Sequence, residues 1–498
     1  MKNLRIFGNT AVKLFALILL ATLSFPTFGA GKEKVIRSTM NMDIDGLNPY
    51  KIVSSASEEV TWNVFEGLVK PSETGGIKPA VAESYTVSDD GLTYTFKIRK
   101  GIKFHNGNPL DIKDVEYSLN VMTGRTGEKM ASVEFELVDK IVVKSEDEIS
   151  IVLKQPNVSF IYAMIEGIVP DENAGNLDKK AIGTGPYKIS EYEREYGLVL
   201  ERFDDYWGEK PQVTRVELVV TPDAEIRFLK LLSGEINLLA SGVDAKRLGE
   251  LKNQEIVNGP QNLVQLLALN HKFKPFSDKR VREAINLAID KKKLIEIMGG
   301  QGIPLETNMS PVMKDVYVGD IGQKVDPARA KALLKEAGYE NLKFTVRVPS
   351  NYAYHVNTAQ VIVEQLKEIG VVMQIETIEW ATWLDDVYAK RNFEATIIGF
   401  SGKLDPDAVL RRYTSDYERN MVNYENPEYD KLIKTAKVTV DDAARIAMYK
   451  KAQEILRDDF VSVFITDPGT MIAVQKGIKG YVIYPIPFVD YSKLIIED

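Results

Sequence analysis

Residues 342–378, LKFTVRVPSNYAYHVNTAQVIVEQLKEIGVVMQIETI, contain two apolar segments rich in β-branched residues on either side of a segment with helical periodicity. The first predicted strand is LKFTVRV and the second is VVMQIETI. The predicted helix between them runs from about Asn357 to Ile369 and ends at Gly370. Two parallel strands joined by a covering helix indicate an α/β lobe.

Helical patterns flank this unit on both sides. Asp278 precedes KRVREAINLAIDKKKL, whose apolar residues recur on one face, and it is the predicted N-cap. Asp326 is the predicted N-cap of a second helix that starts at Pro327 and stops at Gly338. A last helix is predicted to contain residues 443–456. The second half of the chain therefore has an α/β pattern.

The first half is richer in strands. In SDDGLTYTFKIRKGIKF, residues 88–104, apolar and polar side chains alternate after an Asp-Asp-Gly turn, which is typical of a half-buried strand in a hairpin. A helix capped by Asp111 is predicted after this strand. Further strands are predicted at residues 214–220 and 263–269. A chain of 498 residues is too long for one core, so we expect two lobes with a ligand cleft between them.

The N-terminus has the pattern of a secretory signal. Three basic residues, Lys2, Arg5 and Lys13, precede an apolar stretch at residues 14–25, and small residues follow up to position 30. The apolar stretch is short for a membrane span and fits a cleaved signal peptide at residues 1–30. An uncleaved membrane anchor is the alternative.

The composition restricts the cellular compartments and the binding partners that can be predicted for the chain. The chain has no cysteine, which excludes disulfides and a lipid-modified cysteine, so we expect a periplasmic protein that an outer membrane retains. The formal net charge of -8 argues against nucleic acid as a partner, because phosphate binding requires a basic face. We expect a monomer.

Several blocks are more specific than these patterns. They are residues 78–120, GTGPYKI at 183–189, ERFDDYWGEKP at 201–211, residues 267–290, and QLKEIGVVMQIETIEW at 365–380. Together, and in this order, they resemble the family-5 extracellular solute-binding proteins, the peptide- and nickel-binding subunits of ABC importers. The resemblance implies a binding protein that delivers a small-molecule or peptide ligand to an ABC permease in the inner membrane.

The same resemblance implies an α/β, two-lobed periplasmic-binding-protein fold of type II, cluster C, with a hinge. The first lobe is expected at residues 31–265, divided into two subdomains and completed by residues 479–498. The second α/β lobe is expected at residues 266–478. The lobes are expected to close on the ligand.

The loop GFSGKLDPDAVL, residues 399–410, holds the most informative departure from the family. Peptide-binding members carry an aspartate there that holds the ligand's α-amino group, after an aromatic residue and a small pair. Phe400 matches the aromatic residue and Ser401 begins the small pair, but Lys403 stands at the aspartate position. Asp405 matches an Asp-Pro of the family, for which turn formation is the alternative role. All four are predicted ligand contacts.

Four further contacts are predicted. Ser54 and Ser55 precede a helix at a junction that faces the cleft in the family, although helix capping explains such serines equally well. Asn351 and His355 lie in the loop predicted after the first strand of the α/β unit, and loops at such strand ends line ligand crevices. An ordinary loop position is the alternative for His355.

Motifs for chemistry are missing from the sequence. It contains no G-x-S-x-G, no H-E-x-x-H and no P-loop, and its three histidines are scattered, so we expect no enzyme, no cofactor and no metal site. The predicted ligand is a short peptide or a peptide-like solute. An anionic non-peptide solute, which Lys403 would suit, and a nickel–chelator complex remain alternatives, and a secreted peptide hydrolase is a more distant one.

Overall fold

The structure is a computed structural model that describes residues 33–52, 54–241, 243, 245–319 and 324–497. The predicted signal peptide, residues 1–30, lies outside the described residues. No helix in these described ranges is long and apolar enough to cross a membrane.

The strands alternate with helices in the second half of the chain and dominate the first. In chain order they are β1 (Val35–Met40), β2 (Val69–Pro71), β3 (Ile77–Pro79), β4 (Ala82–Val87), β5 (Thr93–Ile98), β6 (Val138–Ser145), β7 (Glu148–Leu153), β8 (Tyr187–Glu193), β9 (Gly197–Arg202), β10 (Arg215–Val220), β11 (Leu238–Leu239), β12 (Gln254–Gly259), β13 (Leu263–Leu269), β14 (Ile303–Pro304), β15 (Lys343–Pro349), β16 (Val372–Ile378), β17 (Ala395–Ser401), β18 (Ser462–Asp467), β19 (Thr470–Gln475), β20 (Ile478–Lys479) and β21 (Ile495–Ile496).

The α-helices follow the same division. In chain order they are α1 (Ser55–Val64), α2 (Ile112–Met122), α3 (Ala224–Ser233), α4 (Lys274–Ser277), α5 (Lys279–Ala288), α6 (Lys291–Ile297), α7 (Pro327–Ala337), α8 (Ala353–Lys367), α9 (Trp380–Thr382), α10 (Pro406–Leu410), α11 (Pro427–Ala436) and α12 (Asp442–Asp458).

Two four-stranded sheets organise the first half. One has the order β1-β10-β9-β8, with β1 parallel to β10 and the other pairs antiparallel. The other has the order β4-β5-β7-β6 and is wholly antiparallel. Both sheets contribute to one large apolar core, in which Phe96, Val216 and Leu200 are fully buried.

A six-stranded mixed sheet with the order β14-β18-β13-β17-β15-β16 organises the second half. β15 and β16 are parallel and joined by α8, which confirms the predicted strand–helix–strand unit. Strand β13 is buried on both faces, since Leu267 and Leu269 enter one apolar core while Leu266 and Ala268 enter another. Together with the first-half sheets, this gives the two-lobed α/β fold.

The C-terminal residues return to the first half. β20 pairs with β21, and β19 pairs with β11 and β12 in a separate three-stranded sheet. The hydroxyl of Tyr187 donates to the backbone carbonyl of Tyr491 at 3.1 Å, and Asn63 donates to the carbonyl of Val489 at 2.9 Å. The lobe boundaries at 265 and 479 stay predictions.

Helix caps explain most helix starts. Asp111 and Asp114 form a reciprocal capping box at α2, Asp278 caps α5, and Asp326 caps α7 ahead of Pro327, as predicted. Helix α7 ends at Gly338 in the left-handed conformation, with φ of 77°.

The predicted start of α8 was wrong. The helix begins at Ala353 rather than near Asn357, so His355 lies in its first turn and not in a loop. Tyr352 stands at the N-cap and makes no side-chain capping bond. Burial of His355, Thr358 and Ala359 stabilises the first turns of the helix, although the sequence offers no capping residue there.

Candidate ligand-binding site

A cleft with a volume of about 400 Å³ lies where the two halves of the described chain meet. The first-half wall comprises the end of β1 and Glu59 of α1. The second-half wall is the end of β17, at Ser401 and Gly402. Residues 261–263, where the chain crosses between the halves, and the C-terminal segment 481–489, less residue 482, close the remaining sides.

The N-terminus of α1 is held by a local hydrogen-bond network. Ser54 caps the helix, because its hydroxyl accepts from the backbone N–H of Ser57 at 3.2 Å. Asp45 accepts from the backbone N–H of Ser54 at 3.1 Å and also from the Ser57 hydroxyl. Ser55 is the first residue of the helix. The geometry thus gives Ser54 a capping role, and ligand contact by Ser54 or Ser55 stays a prediction.

Carboxylates gather around α1. Burial raises the pKa of Glu59, which lines the cleft, to about 7, and the Tyr491 hydroxyl donates to this carboxylate at 2.9 Å. Burial also raises the pKa of Glu58, while the ammonium of Lys403 opposes that shift. Burial raises the pKa of Glu166 to about 7, and the charge of Glu58 adds to this effect. Glu59 therefore places on the first-half wall a carboxyl group whose neutral form is favoured by burial.

The end of β17 and the loop after it carry four of the predicted contacts, Phe400, Ser401, Lys403 and Asp405. Ser401 is exposed and lines the cleft, and Lys403 is exposed and acts electrostatically on Glu58. Phe400 is half-buried under the guanidinium of Arg412, which lies 5.2 Å from the ring centroid. Among the residues predicted from sequence, Ser401 is the one that lies in the described lining of the cleft.

Asp405 has a structural task. It is the N-cap of α10 and accepts from the backbone N–H of Asp407 at 3.0 Å. The same oxygen accepts from the hydroxyl of Ser159 at 2.9 Å, which ties the loop to the first half of the chain. Burial, followed by the charge of Asp407, raises the pKa of Asp405. Turn formation thus accounts for the contacts of Asp405.

His355 is buried within the second half. Its Nδ1 accepts a hydrogen bond from the side-chain amide of Gln265 at 2.9 Å, and Gln265 also donates to Thr358 at 3.1 Å. Burial lowers the pKa of His355 to about 4, so the ring is neutral near pH 7. Asn351 is exposed in the turn after β15. Neither residue belongs to the described lining of the cleft.

The C-terminal segment contributes more to the cleft than sequence reasoning assigned to it. Tyr481, Tyr484 and Phe488 line it, and no contact was predicted there. Asn262 joins this segment to the loop after β17, because its side-chain amide donates to the carbonyl of Pro485 at 2.8 Å while its own carbonyl accepts from Gly402 at 2.5 Å. The two prolines between large apolar residues in YPIPF, residues 484–488, were the available signal for a rigid segment that offers apolar surface.

A pH-dependent result follows from Glu166. We expect Glu166→Gln to stabilise the ligand-free protein at pH 8 by about 1–3 kcal/mol and to have little effect below pH 4.5. Its pKa is raised from 4.5 to about 7, so the favourable neutral form is complete below the unfolded-state pKa and is lost as the pH rises through 7. Glutamine has the shape of the neutral acid but does not ionise, so the variant keeps this stability at pH 8. Chemical denaturation at both pH values measures the difference.

The control is Glu136→Gln, at an exposed carboxylate of the same region. It should leave the free energy of unfolding nearly unchanged at both pH values. A stabilisation of Glu166→Gln that is the same at pH 4.5 and pH 8 would contradict the assigned cause.

Within the described ranges, no group of three or more histidine, aspartate or glutamate side chains is placed to hold a metal ion. Two of the histidines make neutral contacts with backbone carbonyls, His105 with Gly185 at 3.0 Å and His271 with Val461 at 3.0 Å. Burial lowers the pKa of both rings to about 4.

Known proteins resemble the chain over nearly its whole length. The Escherichia coli dipeptide-binding protein is 28% identical, covering 91% of this chain and 93% of that protein. The heme-binding protein A of Haemophilus influenzae is 27% identical over 89% of both chains. The structure of the periplasmic binding protein DppA from Helicobacter pylori, in complex with the peptide STSA, has a TM-score of 0.71 at 26% identity, covering 93% of this chain and 98% of that one.

A family model covers all five of the sequence blocks described above. Residues 76–421 match the model described as the middle region of bacterial extracellular solute-binding proteins, family 5. This match and the two-lobed fold confirm the resemblance drawn from the sequence blocks. The chain belongs to the bacterial extracellular solute-binding proteins of family 5.

Proposed function

We propose that this chain is the periplasmic solute-binding subunit of an ABC importer, and that it captures short peptides or peptide-like solutes and delivers them to a permease. The cleft of about 400 Å³, walled by both halves of the chain, is the observation that carries the proposal. The relatives whose names state a dipeptide or a bound peptide support this ligand class. The protein acts by binding alone, as a monomer, without a cofactor.

The cleft wall suits a peptide backbone. The lining includes the side-chain amides of Asn41 and Gln261 and the hydroxyls of Thr39 and Thr470, so donors and acceptors are available on several sides. Aromatic rings of the C-terminal segment offer apolar surface between these polar groups. Such a lining holds main-chain groups and leaves room for varied side chains, with water filling the gaps.

An anionic solute is the second candidate. Lys403 is exposed in the loop after β17, and the guanidinium of Arg412 donates to the backbone carbonyl of Ser401 at 3.3 Å, so positive charge lies close to the second-half wall. A relative named for heme binding shows that family members differ in ligand. Arg412 and Lys403 would attract the carboxylate of a peptide or of a non-peptide anion.

Native mass spectrometry of protein purified from the periplasm without denaturation tests the proposal. We expect a retained mass that matches a di- to pentapeptide, and after stripping, calorimetric titration should show binding of peptides from a defined mixture. Retained heme, or a metal chelate, with no peptide binding would contradict the peptide proposal. Cleaved peptides in the mixture would indicate a hydrolase instead.

Ligand binding should close the two lobes. Contacts from both walls favour the closed arrangement, so small-angle scattering should give a smaller radius of gyration at saturating peptide than in the stripped protein. The control is the same peptide added at a concentration far below its dissociation constant. An unchanged radius at saturation would exclude hinge closure.

A further inference from the structure

Within the described ranges, the chain passes twice between the six-stranded sheet of the second half and the three-stranded sheet β11-β19-β12. The first crossover is the link of residues 260–262 between β12 and β13, and the second is the link of residues 468–469 between β18 and β19. Leu238 and Val474 of the three-stranded sheet enter the large apolar core of the first half. The two crossovers are therefore where the chain can bend when the halves move relative to one another.

Each crossover begins with a proline. Pro260 and Pro468 have φ fixed at about −65° and carry no N–H, so each link loses one of its rotatable backbone bonds. Gly469 follows in the second crossover, with φ of 72°. Another residue at Gly469 would be strained, because this φ favours glycine and a Cβ there would lie 2.8 Å from the backbone oxygen of Gln301. The freedom of the second crossover is thus concentrated at Gly469.

One buried carboxylate binds both crossovers. Asp467, the last residue of β18, is fully buried, and one of its oxygens accepts from the backbone N–H of Gln261 at 3.1 Å and of Gly469 at 3.0 Å. The other oxygen accepts from the backbone N–H of Leu263 at 3.4 Å and from the Ser310 hydroxyl at 2.6 Å. A carboxylate has about four lone-pair sites, so these donors fill them. Both crossovers are thereby attached to one side chain of the second half.

These hydrogen bonds limit where the crossovers can bend. Burial raises the pKa of Asp467, and the groups that oppose this rise are its hydrogen-bond donors. Rotation that broke these bonds would leave a buried carboxylate without partners, which is costly, so the bonds persist as the lobes rotate. The rotatable backbone bonds that remain between the bonded N–H groups and the paired strand ends, Gly259 and Thr470, are those at Pro260 and Gly469.

We propose that Asp467 holds both crossovers to the second half and so confines lobe rotation to the backbone bonds at Pro260 and Gly469. The crossovers also contribute to the cleft, because Gln261 and Thr470 belong to its lining. A stiff hinge restricts the ligand-free protein to few arrangements of the two walls, which reduces the conformational entropy lost on binding and raises affinity. This inference rests on the proposed function, because it describes how the lobes close on a solute.

Distances between two spin labels test the hinge directly, because the chain has no cysteine of its own. Lys144→Cys on β6 and Lys335→Cys on α7 replace exposed lysines, one in each half, and give the labelled parent. Double electron–electron resonance should show a narrow distance distribution in the stripped parent. Asp467→Asn replaces one accepting oxygen by an amide nitrogen, so it should widen the distribution about twofold.

A second hinge variant leaves the buried carboxylate in place. Pro260→Gly combined with Pro468→Gly frees φ in both crossovers and removes no hydrogen-bonding group, so it should widen the distribution as well. Asp114→Asn is the control for a lost acceptor, because Asp114 is 6% exposed and accepts from two backbone N–H groups within the first half. Pro222→Gly, at an exposed proline of the first half, is the control for a lost proline. Both controls should keep the parent width.

Calorimetric titration connects the hinge to binding. The two hinge variants should bind alanyl-phenylalanine severalfold more weakly than the parent, and the controls should not. Parent width in both hinge variants, or equal widening in Asp114→Asn, would overturn the hinge even where peptides bind. Widened distributions with parent affinity would overturn its contribution to binding. If the parent binds no peptide, the proposed function fails, while the distances in the stripped proteins still decide the hinge.

Discussion

Lys403→Asp should weaken binding of the solute retained through purification about a hundredfold, while leaving the melting temperature of the stripped protein nearly unchanged. Lys403 is exposed and faces Glu58, so its replacement removes little packing. An aspartate there would repel the carboxylate of Glu58 and would also repel an anionic solute. A charge-assisted hydrogen bond of about 1.5–3 kcal/mol corresponds to about ten- to a hundredfold in affinity.

Two substitutions of Lys403 separate the loss of attraction from the added repulsion. Lys403→Ala removes the attraction to an anionic group of the solute without adding repulsion, so it should weaken binding of the retained solute about tenfold. Lys331→Asp is the control, at an exposed lysine of α7 outside the cleft lining. Calorimetric titration gives the affinities. Wild-type affinity in both Lys403 variants would place this side chain outside the site.

Periodicity and helix capping predicted much of the secondary structure of the second half. β13 occupies residues 263–269 as predicted, and the caps at Asp278 and Asp326 are where the sequence placed them. These features depend on periodicity and on side-chain-to-backbone bonds within a few residues, both of which a single sequence contains. Helix α8 is different, because its start depends on burial of His355 against Gln265, a residue 90 positions away.

The cleft depends on still more distant pairings. Tyr491 donates to Glu59 across 432 residues, and Asn262 holds Pro485 across 223. No local sequence pattern predicts which strand or loop the irregular C-terminal segment contacts. The departure at Lys403 could be found from the sequence because the neighbouring residues fix its alignment.

Glu66, a buried carboxylate of the first half, has the largest expected effect on stability. Glu66, which is 4% exposed, accepts hydrogen bonds from Lys70 at 2.9 Å, from the Tyr206 hydroxyl at 2.8 Å and from the Trp207 indole at 2.6 Å. It joins the segment after α1 to the segment after β9. Glu66→Ala leaves these donors without their acceptor, and removal of one partner from a buried charged network costs about 3–5 kcal/mol.

We therefore expect chemical denaturation of the stripped protein to show a loss of about 3–5 kcal/mol for Glu66→Ala, and about 1–3 kcal/mol for Glu66→Gln, which keeps the shape and one acceptor. Glu209→Ala is the matched control, since its side chain is 87% exposed and pairs with Lys493 at 3.4 Å, a contact worth under about 1 kcal/mol. Equal stability of the Glu66→Ala and Glu209→Ala proteins would show that the donors find other acceptors.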